Sequence, residues 1–362
     1  MTKRKRILSI PFVVFAAVIL AAAVWLLYRN RSPEATATSN GVLNVLNWDF
    51  YIGRNTIPSF EEETRISVNY EKYASNEEAL ETMVRAPGQY DIVFPSDYMI
   101  KIMRQRGVIQ PVDTTRIPNI VNVDPIYFSP PFDPDDYCPP YQFGTTGFAV
   151  NRGFVSHEDL PDEAVSWEAL QDPRWKNRVV VLDDMRFVVG SVLLELGFSP
   201  NTTNLEEIEQ AVEVLQKVKA NIRAFTADTG KDYLLSGDAW IAYAWSGDTL
   251  QVQETNPSVK YVIPAFGSLR FQDGICLGAD APNEENAYAF INHLLDPKVS
   301  AEITAYTYYG NTNAGAKKYL DPELLDNPAL FPPPEVMRRL HFVQDLGEDV
   351  ALYEGAWERV KG

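Results

Sequence analysis

An α/β fold with mostly parallel sheets is what this 362-residue sequence predicts, and three observations carry that reading. From about residue 41 onward, short apolar runs alternate with segments of helical spacing, the pattern of strands joined by crossover helices. Several of the apolar runs stop at a corner where an aromatic residue stands beside a short polar or acidic one. The length suffices for two lobes, each with its own core.

Residues 1–31 read as a separate unit. Lys3 to Arg6 precede an uncharged run over residues 7–28, which Arg29-Asn30-Arg31 closes. As a helix that run would rise about 33 Å, enough to cross a bilayer and longer than a typical secretory core of about 7–15 residues. The flanking positive charges favour an N-terminus in the cytoplasm and the rest of the chain outside it. Ala35-Thr36-Ala37 resembles a cleavage site, but Arg29 and Arg31 separate it from the apolar run, so an uncleaved anchor is favoured. No cysteine follows the run to carry a lipid. Residues 32–40, rich in Ser, Thr and Ala, read as a flexible tether.

Beyond the tether, residues 42–46 and 90–94 are strand candidates, with helical spacing over 79–84 between them. Residues 99–106 form a helix stopped by Gly107. Residues 179–182, 240–244 and 261–263 are buried-strand candidates. Ile208, Ala211, Val212, Leu215 and Val218 mark an amphipathic helix over about 205–219, and 286–295 form another with Pro297 just beyond. Trp48, Ser96, Asp183-Asp184 and Trp245 all fall just after an expected strand. Ligands of open α/β sheets sit at such strand ends, so these residues are expected to share one cleft.

Charge narrows the function. The whole chain carries a net −17, and residues from Gly41 on hold 26 basic and 48 acidic residues, a net −22. Such a field repels nucleic acid and attracts cations, although many acidic proteins are merely soluble. Asn47-Trp48-Asp49-Phe50-Tyr51, Pro95-Ser96-Asp97-Tyr98 and Trp245-Ser246-Gly247-Asp248 offer flat rings beside carboxylates, which suit an organic cation with an alkyl body. His157, His293 and His341 show no metal-ligand spacing, and no Ser-His-Asp set or phosphate loop is present. Residues 132–136 resemble a calcium loop, but Pro134 and the lack of a distant Glu favour a solvated turn. No metal, cofactor or catalytic residue is therefore expected. Cys138 and Cys276 are the only cysteines, and a disulfide and two buried thiols both stay open.

Read end to end from Gly41 to Gly362, the chain resembles the periplasmic polyamine-binding proteins, the spermidine/putrescine receptors of ABC importers. The resemblance runs collinearly through LNVLNWDFYI, YASNEEALETM, YDIVFPSDYMIKIM, PFDPDDYCPPYQFGTTGFAVN, VVVLDDMR, GFSPNTTNLEEIEQA, AYAWSGD, ENAYAFINHLLDPKVSAEI and GNTNAGAKKYL. It implies a two-lobed periplasmic binding protein fold with hinge crossovers, here preceded by the N-terminal transmembrane segment. The crossings are expected near 142–147 and 268–274, with a third after Thr304. Residues 41–141 and 269–305 would form lobe 1, and 142–268 and 306–362 lobe 2. The implied function is a monomeric, non-enzymatic extracytoplasmic receptor that closes over a polyamine and delivers it to the permease subunits.

The resemblance also implies a ligand set. Trp48 and Tyr51 stand where rings flank the polyamine chain, and Asp49 replaces a common Thr or Ser and would add a carboxylate. Ser96 and Tyr98 match the Pro-Ser-x-Tyr wall. Asp184 matches an acid that meets an amine, while Phe187 replaces a Glu of the spermidine type. Trp245 matches a sandwiching ring, Asp248 an acid of the putrescine type, and Phe271 a Trp of the spermidine type. Asp273 matches the acid on the central or distal amine, Tyr309 a tyrosine near the amine end, and Gln344 a C-terminal Gln one position out of register. Asp248 with Phe271 favours putrescine over spermidine. Alternatives are a membrane-anchored polyamine sensor, the same fold binding another organic cation, or a glycosidase using two of these acids, which the resemblance argues against.

Overall fold

The computed structural model describes residues 41–227 and 230–362. The expected anchor over 7–28 and the tether over 32–40 lie outside the described residues. No helix among the described residues is long and apolar enough to cross a membrane.

The strands follow in chain order as β1 (Val42–Trp48), β2 (Ser67–Tyr73), β3 (Ile92–Val93), β4 (Ile109–Gln110), β5 (Pro140–Asn151), β6 (Val179–Leu182), β7 (Ile222–Thr226), β8 (Ile241–Trp245), β9 (Val259–Val262), β10 (Ser268–Gly274), β11 (Cys276–Gly278), β12 (Gly310–Asn311) and β13 (Leu340–Phe342). They build two sheets. The first runs β2-β1-β3-β11-β4, and the second runs β13-β10-β5-β8-β6-β7, with β9 and β12 also paired to β5.

Mostly parallel sheets were expected, and the structure corrects this: both are mixed. The pairs β1–β2, β1–β3, β6–β7, β6–β8 and β10–β13 are parallel. Every pair made by β5, β11 or β12 is antiparallel. The parallel strands of the β1–β3 and β6–β8 groups are each followed by a crossover helix, whereas β5 enters from the long connection over residues 111–139, which leaves its direction unconstrained.

Helix formation follows local chemistry closely. The helix Leu205–Val218 begins at Asn204, whose side chain accepts from the Glu206 N–H, and buries Ile208, Ala211, Val212, Leu215 and Val218 on one stripe. Helix Asp97–Gln105 ends just before Gly107, which sits at φ +67° as a C-terminal stop requires. Helix Glu284–Leu294 packs on helix Thr56–Thr64 through the Phe60–Phe290 ring pair, 4.9 Å between centroids. His293 joins the same two helices by hydrogen bonds to Ser59 Oγ and the Thr56 carbonyl, with Glu63 at 3.4 Å. One apolar core lies on the first sheet and another on the second, around the fully buried Trp167, Phe148 and Tyr243.

The segments 142–147 and 268–274, expected as hinge crossings, are strands β5 and β10 of the second sheet. The chain passes between sheets over residues 111–139, at residue 275 and over residues 279–309, the last of which contains the third crossing expected after Thr304. Two of these passages touch where the Ile275 N–H donates to the Pro139 carbonyl, and beside them the Gly274 N–H donates to the carbonyl of Pro95 and the Thr312 N–H to that of Tyr141. Cys138 and Cys276 are disulfide-bonded at the same place. The bond closes a loop between residues 138 positions apart, a crosslink that in chain-entropy terms adds several kcal/mol, up to about 5, to stability.

Candidate ligand-binding site

Strand ends aim the site. Trp48 closes β1, Trp245 closes β8, and Asp184 lies two residues past β6 as the N-cap of helix Met185–Glu195. Ser96 precedes helix Asp97–Gln105 and forms a single bridge to Asp273 near the end of β10. Between the two sheets these corners line a cavity of about 350 Å³, within the usual range for small-molecule sites. Trp48, Asp49, Tyr51, Ser96, Tyr98, Asp184, Trp245, Asp248, Phe271, Asp273 and Tyr309 all reach its wall. Gln344 does not. It is exposed, and its backbone is tied to Asn201 and Arg186, which fixes the segment outside the wall.

The apolar part is a run of edge-to-face rings. Phe187 meets Trp245 at 4.7 Å, Trp245 meets Phe271 at 5.4 Å, Phe271 meets Tyr309 at 5.6 Å and Tyr309 meets Tyr51 at 5.3 Å. Small residues allow it: a Cβ at Gly144 would stand 2.6 Å from Phe271, and one at Gly247 would stand 2.6 Å from Tyr309. Trp48 is held on the opposite side by Nε1 donating to the Phe94 carbonyl at 2.8 Å and by Tyr73 at 4.5 Å. The locked rings present π faces without loss of side-chain freedom on binding.

The acids differ sharply in their surroundings. Asp273 is 2 % exposed and has no basic partner, and burial pushes its carboxyl up to about 7. Tyr51 and Ser96 adjoin it and pull the other way, yet no well-formed hydrogen bond reaches Asp273 Oδ1 or the Tyr51 hydroxyl. Two polar atoms thus stand buried and unanswered beside each other, an expensive arrangement unless a ligand uses it. Asp184 caps its helix by accepting from the N–H groups of Arg186 and Phe187, and burial raises it to about 6 against that help. Asp49 and Asp248 are already engaged. Asp49 pairs with Lys72 at 2.6 Å, and Asp248 with Lys231 at 3.2 Å.

Sequence reasoning missed Glu77, Arg186 and Lys231 as wall residues. For Glu77 a signal existed: Ser75 and Glu78 form the capping pair of helix Asn76–Arg85, which leaves the intervening acid to accept from the Tyr98 hydroxyl at 3.1 Å. The Arg186 guanidinium is directed elsewhere, to the Gln344 carbonyl, Asn201 Oδ1 and the Tyr353 ring. Among the described residues no group of three or more His, Cys, Asp or Glu could hold a metal ion.

An aromatic cavity with buried acids, set between two mixed α/β sheets, is the arrangement of a two-lobed binding protein. The chain belongs to the bacterial extracellular solute-binding proteins, whose family model matches residues 55–332. It is 33% identical to the spermidine/putrescine-binding periplasmic protein of Salmonella typhimurium, over 90% of this chain and 93% of the relative. It is 32% identical to the putrescine-binding periplasmic protein of Escherichia coli, over 90% and 92%. The spermidine/putrescine ABC transporter substrate-binding protein of Streptococcus pneumoniae, solved with calcium and HEPES, superposes with a TM-score of 0.77 at 31% identity, covering 89% of this chain and 98% of that one. A Listeria monocytogenes structure superposes with a TM-score of 0.83 at 31% identity, over 89% and 99%.

Proposed function

We propose that this chain is the polyamine receptor of an ABC importer, which captures putrescine or spermidine outside the cytoplasm and delivers it to permease subunits. The observation that carries this is the buried Asp273 with the half-buried Asp184, two carboxylates that form no ion pair among the described residues, in a wall of locked rings. A polyamine answers both needs, since each ammonium requires a buried acid and the methylenes require flat apolar walls. The names of the relatives support the same ligand class. Binding rather than turnover is supported by the family, whose members are solute-binding proteins.

We place the lobe boundaries at the passages between sheets, with β1 to β4 and β11 in lobe 1 and the remaining strands in lobe 2. A ligand touching both walls favours the closed form by its differential affinity. Titrating the purified full chain with putrescine, cadaverine, spermidine, spermine and arginine tests the reading. At 100 times its dissociation constant a ligand stabilises by about 2.7 kcal/mol, which raises the melting temperature by several degrees. The same titration followed by small-angle scattering is expected to show contraction. No shift with any of the amines would end the polyamine assignment.

Residues 7–28 we propose as an uncleaved membrane anchor, because the uncharged run exceeds the length of a typical secretory core. N-terminal sequencing of the protein from the membrane fraction is expected to find the run intact; a start near residue 38 would show cleavage instead.

A further inference from the structure

Lys231 is a cation built into the wall of a cavity suited to cations. It sits on the short helix Gly230–Ser236 between β7 and β8, and its ammonium lies 3.2 Å from Asp248 Oδ1 and 3.2 Å from Gln251 Oε1. Both side chains of the pair are largely enclosed, at 19 % and 18 % exposure. The same ammonium stands 5.0 Å from the centre of the Phe50 ring, which extends from the end of β1 on the opposite sheet. Carboxylate, amide oxygen and aromatic face are the three kinds of group that would surround one ammonium of a bound polyamine. Lys231 therefore already occupies the environment that such a group would seek.

Resting on the polyamine reading, we infer that Lys231 is a specificity-determining residue: it fills the Asp248 subsite as an internal ammonium and leaves the receptor selective for diamines. The buried Asp273 and the half-buried Asp184 remain as wall acids that form no ion pair among the described residues, one for each end of a diamine. A triamine has a third ammonium, and it gains Asp248 only by displacing Lys231. Displacement strands the lysine ammonium near a partly enclosed wall, so the exchange returns little. Like charge between Lys231 and the third ammonium acts further against the longer ligand, an exclusion by repulsion rather than by shape. Asp248 thus sets ligand length through the lysine that holds it and not by direct contact with the ligand.

The test compares putrescine and spermidine by titration calorimetry on the full chain. Wild type is expected to bind putrescine more tightly than spermidine. Lys231→Met removes the charge and keeps an unbranched side chain of similar length. It is expected to shift the ratio of the two dissociation constants at least tenfold toward spermidine. Lys231→Arg is expected to retain the diamine preference, and Lys231→Met with Asp248→Asn to lose the gain, because the subsite then lacks its acid. Retained putrescine binding by Lys231→Met reports that the variant is folded. An unchanged ratio, or an equal gain for both amines, would overturn the inference while leaving the polyamine receptor standing. Failure of the wild type to bind either amine would overturn the receptor assignment and the inference with it.

Discussion

Asp273→Asn is expected to lower polyamine affinity at least a hundredfold and, at pH 8, to make the unliganded protein more stable than the wild type. The two effects share one cause. Asp273 is 2 % exposed, lacks a basic partner and has an unanswered Oδ1. An ammonium buried against it becomes an unpaired charge when the acid is replaced by an amide, a loss of about 3–5 kcal/mol for a buried pair. A hundredfold change corresponds to about 2.7 kcal/mol and is the conservative end of that range.

The stability effect follows from the direction of the shift. Burial raises the Asp273 carboxyl to about 7 in the folded protein, against about 3.9 in an unfolded chain. The folded state thus holds the proton more tightly, and its contribution to stability is full below about pH 4. That contribution is lost as pH rises through about 7. Above pH 7 the ionised acid is a net strain on the fold of roughly 2–4 kcal/mol, which the amide removes. Thermal unfolding checks it: the variant should melt several degrees above wild type at pH 8 and close to it at pH 4.5. A variant that melts lower at pH 8 would show that the carboxylate is satisfied in the unliganded protein. Wild-type affinity would remove Asp273 from the site.

The corners that hold this chemistry were legible because each is a local event. Trp48, Asp184 and Trp245 follow short apolar runs, and runs of that kind become strands whose ends carry ligand groups. The helix Leu205–Val218 was legible for the same reason, its stripe being complete within the segment. Strand β5 was not. Its sequence PYQFGTTGFAVN has neither alternation nor a continuous apolar run, and it is buried throughout because β8, β9, β10 and β12 cover it. Its burial is a property of its neighbours. The disulfide between Cys138 and Cys276 likewise depends on two passages meeting in space. Lys231 carried no signal at all, since its meaning comes from Asp248 on the next helix and Phe50 on the other sheet. Gln344 shows the opposite failure: a resemblance one position out of register suggested a wall position, and the backbone bonds to Asn201 and Arg186 hold the residue outside the wall.

Polyamine affinity is further expected to fall at least a hundredfold between pH 8 and pH 5, with protons released on binding near pH 6.5. Asp273 and Asp184 stand at about 7 and about 6 in the unliganded protein, both raised first by burial. An ammonium selects the ionised form of each. Below about pH 7 binding must first expel the Asp273 proton, which costs about tenfold in affinity for each pH unit; below about pH 6 the Asp184 proton adds its share. The ligand amines, with lysine-like values near 10.4, stay charged throughout and contribute nothing to the slope. None of the three histidines lines the cavity, so the ordinary source of a transition near pH 6.5 is not at hand there. Titration calorimetry in two buffers of different ionisation enthalpy would read the proton count directly. At pH 8 the heat should be independent of buffer; near pH 6.5 it should report the release of about half a proton or more. A dissociation constant that stays flat from pH 8 to pH 5 would mean that neither carboxylate meets an ammonium. The same linkage implies that an acidic exterior unloads the receptor, because a proton on Asp273 and a ligand ammonium compete for one buried charge.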